Sequence, residues 1–145
     1  MEERIVEEYR SDCERDTEKI AASLAAMAKD GEFYALYGDL GAGKTAFARG
    51  FVGRLIPEAH VSSPTYAILN VYRGRGVQIN HFDTYRITSE DDLESTGFYE
   101  AIARGITLCE WPEKIPYALP DNAVSVRIAK DGESGRIISV ERVRA

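Results

Sequence analysis

The spacing of apolar residues along the chain predicts that strands alternate with helices. Residues 32–37 (EFYALY) and 105–110 (GITLCE) are mainly apolar runs of strand length, which is typical of parallel strands buried on both faces. From 44 to 56 the apolar residues recur at helical spacing, and Pro57 ends the run. A buried strand is therefore predicted to lead, through the glycine-rich residues 38–43, into an amphipathic helix.

The other elements are predicted from shorter signals. They are a strand at 2–9, a helix from a capping box at Ser11-Asp12-Cys13-Glu14 to Asp30-Gly31, strands at 66–72 and 77–82, and short helices beginning at Ser89 and spanning 98–103. In the tail, residues 124–129 and 136–143 flank an Asp-Gly-Glu-Ser-Gly turn, which predicts a β-hairpin. The whole pattern predicts a single α/β domain with a mixed, mainly parallel sheet flanked by helices and a C-terminal hairpin.

Composition and charge exclude several classes of protein. The 145 residues suffice for one domain with its own core, and 44% of them are hydrophobic. With 18 basic and 24 acidic residues the net charge is -6, so the chain lacks the overall positive field of a dedicated nucleic-acid binder. The acidic N-terminal stretch is unlike a targeting peptide, and no apolar run approaches the ~18 residues that span a bilayer. We therefore predict a cytoplasmic protein with no membrane or DNA partner.

The two cysteines, Cys13 and Cys109, are too few to form a disulfide framework. A zinc site needs about four ligands, and only His60 and His81 could join the two thiols. We expect two reduced thiols, at least one of them buried as a small apolar side chain.

The strongest chemical signal is the glycine-rich run between the first buried strand and the next helix. It matches the phosphate-binding pattern G-x-x-x-x-G-K-[ST] with Gly38, Asp39, Leu40, Gly41, Ala42, Gly43, Lys44 and Thr45, and Ala46 follows in the helix. Glycines allow the positive φ angles that turn backbone N–H groups towards phosphate oxygens. Lys44 is expected to reach the β- and γ-phosphates, and the Thr45 hydroxyl to bind Mg²⁺. The motif therefore predicts a nucleoside triphosphate site.

Two acidic residues are positioned to complete such a site. Asp83 follows the strand at 77–82, and Glu110 ends the strand at 105–110. Open α/β sheets bind ligands at the carboxyl ends of their strands, where a carboxylate can hold Mg²⁺ or orient water. Either acid could instead be a solvated turn residue, but a neighbouring phosphate-binding loop favours the functional interpretation.

Three further residues have two interpretations on sequence alone. Thr65, in Ser62-Ser63-Pro64-Thr65, lies where nucleotide-sensing switch loops occur, but the segment is also compatible with an ordinary proline turn. Arg86 could contact phosphate or a partner, or could be a solvated arginine. Trp111 could be a packing anchor or part of the site. The chain has no Asn-Lys-x-Asp motif, so guanine selection of the GTPase type is not indicated.

Several motifs together resemble the TsaE family of bacterial P-loop ATPases. They are YGDLGAGKTAFARGF, SSPTYAILNVY, HFDTYR and ESTGFYEAIARGITLCEWPEKI, in this order within residues 11–117. The resemblance implies weak ATP hydrolysis within the machinery that makes threonylcarbamoyladenosine in tRNA. It also implies that the chain works with the threonylcarbamoyl-transferase subunit TsaD and its partner TsaB, and that ATP turnover resets this complex.

The resemblance also implies catalytic roles for individual residues. Lys44 and Thr45 match the Walker A pair, and Thr45 with Glu110 is implied to hold Mg²⁺. Asp83 matches the family's essential aspartate, which is proposed to act in hydrolysis. Thr65 matches a switch-like threonine.

The resemblance also implies nucleotide contacts outside the phosphate-binding loop. Trp111 matches a tryptophan near the nucleotide. The family's adenine and ribose contacts come from the N-terminal segment and the C-terminal hairpin, where Glu14, Thr17 and Arg136 are the candidates in this chain.

Two other functions fit the phosphate-binding loop. A small-molecule kinase would need an arginine-bearing lid and an acceptor pocket, for which 145 residues leave little room. A non-catalytic, ATP-gated binding module would not need the acids at the strand ends. We therefore favour an accessory ATPase in which Asp83 orients the attacking water. The acidic charge predicts that tRNA is bound by the partner complex and not strongly by this chain.

Overall fold

Seven strands and four α-helices form the part of the chain that the computed structural model describes, residues 3–64 and 68–144. The strands are β1 (Glu3–Ser11), β2 (Phe33–Tyr37), β3 (Leu69–Gly74), β4 (Val77–Asp83), β5 (Ile106–Glu110), β6 (Val124–Asp131) and β7 (Gly135–Arg144). The helices are α1 (Glu14–Ala25), α2 (Lys44–Leu55), α3 (Glu90–Ser95) and α4 (Phe98–Ile102). Two 3₁₀ turns lie at Pro112–Lys114 and Pro116–Ala118. Within these described ranges, no helix has the length and apolar character needed to cross a membrane.

All seven strands belong to one sheet, in the order β1-β7-β6-β2-β5-β4-β3. The four central strands, β6, β2, β5 and β4, pair in parallel, and the outer pairings are antiparallel. The predicted α/β class, mixed sheet and C-terminal hairpin are confirmed. β1, the strand predicted at 2–9, pairs with β7 and so extends the hairpin to three antiparallel strands.

The central strand β2 supplies apolar side chains to both faces of the sheet. Tyr34 and Leu36 pack on the face covered by α1 and α2, together with Phe51. Phe33 and Ala35 point to the opposite face, in the core beneath α3 and α4. Successive residues of a strand point to opposite faces, so a strand buried on both faces must be apolar throughout.

The predicted capping box is wrong. Ser11 is the last residue of β1, and its hydroxyl donates to the Cys13 carbonyl at 2.8 Å and lies 2.7 Å from the Thr17 hydroxyl. α1 begins at Glu14 with Cys13 at the N-cap position, and it ends at Ala25, before the predicted stop at Asp30-Gly31. The pairing of β1 with β7 places Ser11 at the end of a strand, so Ser11 is not the N-cap residue of α1. Sequence spacing alone does not reveal that pairing.

Other element boundaries differ from the sequence-based prediction by a few residues. β3 begins at Leu69 and extends to Gly74; positions 66 and 67 of the strand predicted at 66–72 lie outside the described residues. The helix predicted from Ser89 is α3, and the Ser89 hydroxyl caps it by accepting the Asp92 N–H at 3.1 Å. Such a cap depends only on neighbours in sequence, so it is predictable from the sequence.

Both cysteines are free, as predicted. Cys109 lies in β5 and is fully buried, and burial raises the pKa of its thiol to about 12. Cys13 is exposed at the start of α1. A thiol that stays protonated at neutral pH is a poor nucleophile, so Cys109 serves the core.

We expect two neighbouring glycines of α2 to respond oppositely to alanine. A Cβ at Gly50 would lie 2.2 Å from the Glu18 carbonyl oxygen, because α1 crosses α2 there, whereas a Cβ at Gly53 meets nothing within 4 Å. Gly50→Ala should therefore cost about 2–3 kcal/mol through overpacking. Gly53→Ala should gain about 0.5–1 kcal/mol from helix propensity. Urea unfolding of both variants checks this, and equal effects would contradict the close approach.

Candidate functional site

A cavity of about 500 Å³ lies at the carboxyl ends of three parallel strands. The loop after β2 contributes Gly43, β4 contributes its last residue, Asp83, and β5 contributes Glu110. This is where open α/β sheets bind ligands.

The loop after β2 has the backbone shape that its glycines predict. Gly41 and Gly43 have φ angles of 79° and 114°, in the left-handed region that favours glycine. Gly43 is the N-cap residue of α2, with no side-chain cap, and helix α2 begins at Lys44. The N–H groups of a helix's first turn lack partners within the helix and carry partial positive charge. The loop therefore presents donors suited to an anion at the cavity.

Lys44 is buried inside the cavity without a hydrogen-bond partner. Its side chain is 5% exposed, and its Nζ makes no hydrogen bond to any described residue. The Nζ lies 3.3 Å from the centroid of the Trp111 ring, a cation–π contact. Burial lowers the pKa of Lys44, and the carboxylates of Glu110, Glu113 and Asp83 oppose that effect. A buried ammonium with unused donors fits a phosphate group as its ligand.

Asp83 and Glu110 face each other at the ends of adjacent strands. They are direct partners in the parallel register of β4 and β5. Asp83 accepts the Tyr85 N–H at 3.0 Å, and burial raises the pKa of the Asp83 carboxyl. Glu110 is 3% exposed, and half-buried Thr45 lies on the same cavity. Carboxylate and hydroxyl oxygens are the ligands that Mg²⁺ prefers, so this donor set fits a hydrated Mg²⁺ ion beside phosphates.

His81 is part of the site and was not predicted. It is fully buried in β4, and its Nε2 lies 2.6 Å from Glu110 Oε2. Its Nδ1 has no partner among the described residues, so the Nε2 contact with Glu110 is the one hydrogen bond that they give the ring. This hydrogen bond fixes one oxygen of Glu110 and leaves the other available. The two-residue spacing from Asp83 places both side chains on one face, and this spacing was the available signal.

We expect His81→Leu to lower the free energy of unfolding by about 2 kcal/mol, because the buried Glu110 carboxylate loses its donor. His81→Gln retains an N–H donor and should cost less. Urea unfolding measures both, with His60→Leu as the control because His60 is exposed. Equal costs for the leucine and glutamine variants would show that the hydrogen bond contributes little.

Trp111 adopts a backbone conformation that is unusual for its residue type. Its φ angle is 62°, and its carbonyl accepts the Thr84 hydroxyl at 2.7 Å. The Thr84 hydroxyl also lies 3.1 Å from the Glu110 carbonyl, so one side chain fixes the end of β5. The Trp111 ring lies 4.9 Å from the Tyr85 ring and faces the cavity. Left-handed strain at a large residue is typical of functional sites.

Most of the residues predicted for the site line the cavity. They are Glu14, Leu40, Gly41, Gly43, Lys44, Thr45, Ala46, Asp83, Glu110 and Trp111, and Arg86 joins them. Gly38, Asp39 and Ala42 belong to the same loop but do not line the cavity. Thr65 lies outside the described residues.

Thr17 and Arg136, the other two candidates for adenine or ribose contacts, do not line the cavity. Thr17 is buried, with its hydroxyl 2.7 Å from that of Ser11. Arg136 lies behind the loop, where its Nε donates to the Ala42 carbonyl at 2.8 Å. The cavity also has Arg49 on its rim, with its guanidinium 3.9 Å from the Glu14 carboxylate. The four-residue spacing from Thr45 to Arg49 was the available sequence signal, since it places both on one helix face.

Comparison with known proteins points to the same family that the sequence motifs resemble. The model of the family described as "Threonylcarbamoyl adenosine biosynthesis protein TsaE" matches residues 11–138. The tRNA threonylcarbamoyladenosine biosynthesis protein TsaE of Bacillus subtilis is 37% identical over 129 residues, which is 88% of this chain and 80% of that protein. The protein of that name from Rickettsia felis is 34% identical over 128 residues, 88% of this chain and 75% of its own length.

A solved structure shares the fold over nearly the whole chain. The crystal structure of Bacillus subtilis YdiB superposes with a TM-score of 0.79 at 30% sequence identity, covering 98% of this chain and 87% of that one. Sequence and structure agree, and the chain belongs to the TsaE family of threonylcarbamoyl adenosine biosynthesis proteins.

Proposed function

We propose that this protein binds and hydrolyses ATP with Mg²⁺ as an accessory component of tRNA threonylcarbamoyladenosine synthesis. It would act in the cytoplasm on the TsaD–TsaB threonylcarbamoyl-transferase complex, not on tRNA directly. The observation that carries the nucleotide part is the buried Lys44 ammonium, which lies in the cavity without a hydrogen-bond partner among the described residues. Family membership supports the pathway.

In this proposal, different residues of the cavity have different roles in hydrolysis. The N–H groups of the loop and the Lys44 ammonium would bind the β- and γ-phosphates and stabilise the charge that develops on them. Thr45 and Glu110 would hold Mg²⁺, which supplies further positive charge when bound. His81 keeps Glu110 in place through its hydrogen bond. Asp83, across from Glu110, would orient the water that attacks the γ-phosphate in line with the leaving group.

The proposal is tested by following the γ-phosphate of labelled ATP. The chain alone should release phosphate slowly, and purified TsaD–TsaB should change that rate and require ATP for repeated rounds of tRNA modification. Transfer of the label to a metabolite would identify a kinase instead. Bound ATP that is never hydrolysed, even beside the partners, would identify a non-catalytic binding module.

We expect the isolated chain to show no salt-sensitive affinity for tRNA. Its net charge is -6, so few counterions would be released from the nucleic acid on contact. A gel-shift titration at physiological salt checks this, with the TsaD–TsaB complex as the positive control. Tight binding by the isolated chain would contradict the assignment of tRNA to the partner complex.

A further inference from the structure

Two cationic side chains of the β6–β7 hairpin hold the phosphate-binding loop from behind. Lys130 Nζ donates to the Leu40 carbonyl at 3.0 Å. Arg136 donates from Nη2 to the Gly41 carbonyl at 3.2 Å and from Nε to the Ala42 carbonyl at 2.8 Å. Three consecutive carbonyls of the loop therefore accept hydrogen bonds from the hairpin.

These contacts determine which way the loop's N–H groups point. In a trans peptide the carbonyl of one residue and the N–H of the next lie in one plane and point in opposite directions. Holding the Leu40 and Ala42 carbonyls against the hairpin therefore turns the N–H groups of Gly41 and Gly43 away from it. Gly41 and Gly43 line the cavity. The hairpin thus sets the donor pattern that a phosphate would meet.

The peptide between Gly41 and Ala42 is fixed on both sides. Its carbonyl accepts from Arg136, and its N–H donates to the Asp39 carbonyl at 2.9 Å. Two more carbonyls, those of Gly135 and Glu133, accept from Arg136 Nη1 at 2.7 Å and 3.3 Å. The hairpin's own backbone therefore also holds the guanidinium group that donates to the loop carbonyls.

The positive charge of Arg136 also contributes to the electrostatic field at the phosphate-binding loop. The structure gives Arg136 no carboxylate partner within ion-pair distance among the described residues, so its positive charge lies uncompensated behind the loop. A positive charge close to an anion site adds to the field of the loop's N–H groups and of the helix N-terminus. An arginine fork also restrains two carbonyls in a fixed planar geometry, whereas the donors of a lysine ammonium rotate freely.

We propose that Arg136, assisted by Lys130, is a positioning residue that holds the phosphate-binding loop in its ligand-ready shape before nucleotide arrives. A loop that contains three glycines, Gly38, Gly41 and Gly43, would otherwise sample many shapes. Apparent affinity falls in proportion to the fraction of molecules that are competent to bind. The effect on affinity rests on the proposed nucleotide binding, but the effect on the free loop does not.

The test uses Arg136→Gln with Arg127→Gln as a matched control. Arg127 lies on the same hairpin, exposed, with its guanidinium over the Tyr37 ring at 4.2 Å. Unlike Arg136, it donates no hydrogen bond to the loop carbonyls among the described residues. Amide hydrogen exchange of Ala42 in the nucleotide-free protein should become at least about tenfold faster in Arg136→Gln and should not change in Arg127→Gln. ATP and ADP should both bind about tenfold more weakly to Arg136→Gln, by calorimetry. Arg136→Lys should fall between wild type and Arg136→Gln.

The readouts separate the possible failures. Unchanged Ala42 exchange and unchanged nucleotide affinity in folded Arg136→Gln would overturn the positioning role. If no protein in the set binds nucleotide, the proposed function fails, while Ala42 exchange still decides whether the hairpin holds the loop. Should Arg136→Gln not fold, Lys130→Gln replaces it, because that change removes only the exposed Leu40 contact. Faster Ala42 exchange in Lys130→Gln would support the proposal, and wild-type exchange would count against it.

Discussion

Lys44→Met should weaken ATP binding about 100-fold or more while leaving the nucleotide-free protein close to its original stability. The ammonium is buried, without a hydrogen bond to the described residues, so its unused donors are available to phosphate. Loss of a buried charge partner typically costs 2–5 kcal/mol, and about 2.7 kcal/mol corresponds to 100-fold. Isothermal titration calorimetry measures the affinity.

The stability side of this prediction distinguishes a ligand-binding lysine from a structural one. Methionine keeps the apolar stem of Lys44 but loses the cation–π contact with Trp111, worth about 0.5–2 kcal/mol. It also removes the cost of burying a charge, the cost that lowers the pKa of Lys44. We therefore expect the free energy of unfolding to change by no more than about 1 kcal/mol.

Lys114→Met is the matched control for Lys44→Met. Lys114 is exposed, and its Nζ lies 5.0 Å from the centroid of the Tyr85 ring. Tyr85 packs against Trp111, so Lys44 and Lys114 each lie over one ring of the same aromatic pair. Lys114 does not line the cavity. Its loss should leave ATP affinity unchanged within about twofold. Equal losses in the two variants would mean that Lys44 acts only through the general charge of the region.

The affinity of the wild-type protein for ATP should also depend on pH through Lys44. Burial lowers the pKa of the free ammonium, and bound phosphates would raise it again by stabilising the charged form. Binding is therefore strongest below the lowered pKa of the free protein and is lost as pH rises through the higher pKa of the complex. This dependence should be absent from Lys44→Met.

The central part of the site was predictable because its signals are local. The apolar run of β2, the glycines that follow it and the helical spacing after Lys44 occupy one continuous segment. Each signal depends only on neighbours in sequence, and together they specify a strand, a loop with left-handed residues and a helix N-terminus. Asp83 and Glu110 were located by a single further rule, that ligands bind at the carboxyl ends of parallel strands.

The sequence did not reveal the contacts that depend on which strands become neighbours. Arg136 can reach Ala42 only because the hairpin strand β6 pairs with β2, and no local pattern specifies that pairing. Ser11 forms part of β1 because β1 pairs with β7, so the residue does not cap α1. His81 reaches Glu110 because β4 lies beside β5 in a parallel register. In each case the missing information is a contact between residues far apart in sequence.

Asp83→Asn should slow ATP hydrolysis at least about 100-fold while ATP affinity stays within about threefold of wild type. Asparagine has the same shape but cannot act as the anionic acceptor that orients water, and loss of such a group typically costs 10²–10⁴-fold in rate. Affinity is spared because Lys44 and the loop's donors remain. Asp121→Asn, in an exposed turn, is the control and should keep both properties. Phosphate release under saturating ATP and calorimetric titration measure the two quantities.

The pH profile separates an orienting role for Asp83 from a structural one. Burial raises the pKa of Asp83, so its carboxyl stays protonated to a higher pH than an ordinary aspartate. The carboxylate form is the one that can accept a hydrogen bond from water, so wild-type hydrolysis should fall as pH decreases through this raised pKa. The residual activity of Asp83→Asn should lack that acidic decline. Wild-type turnover in Asp83→Asn would refute the role, and an unchanged acidic decline would assign that titration to another group.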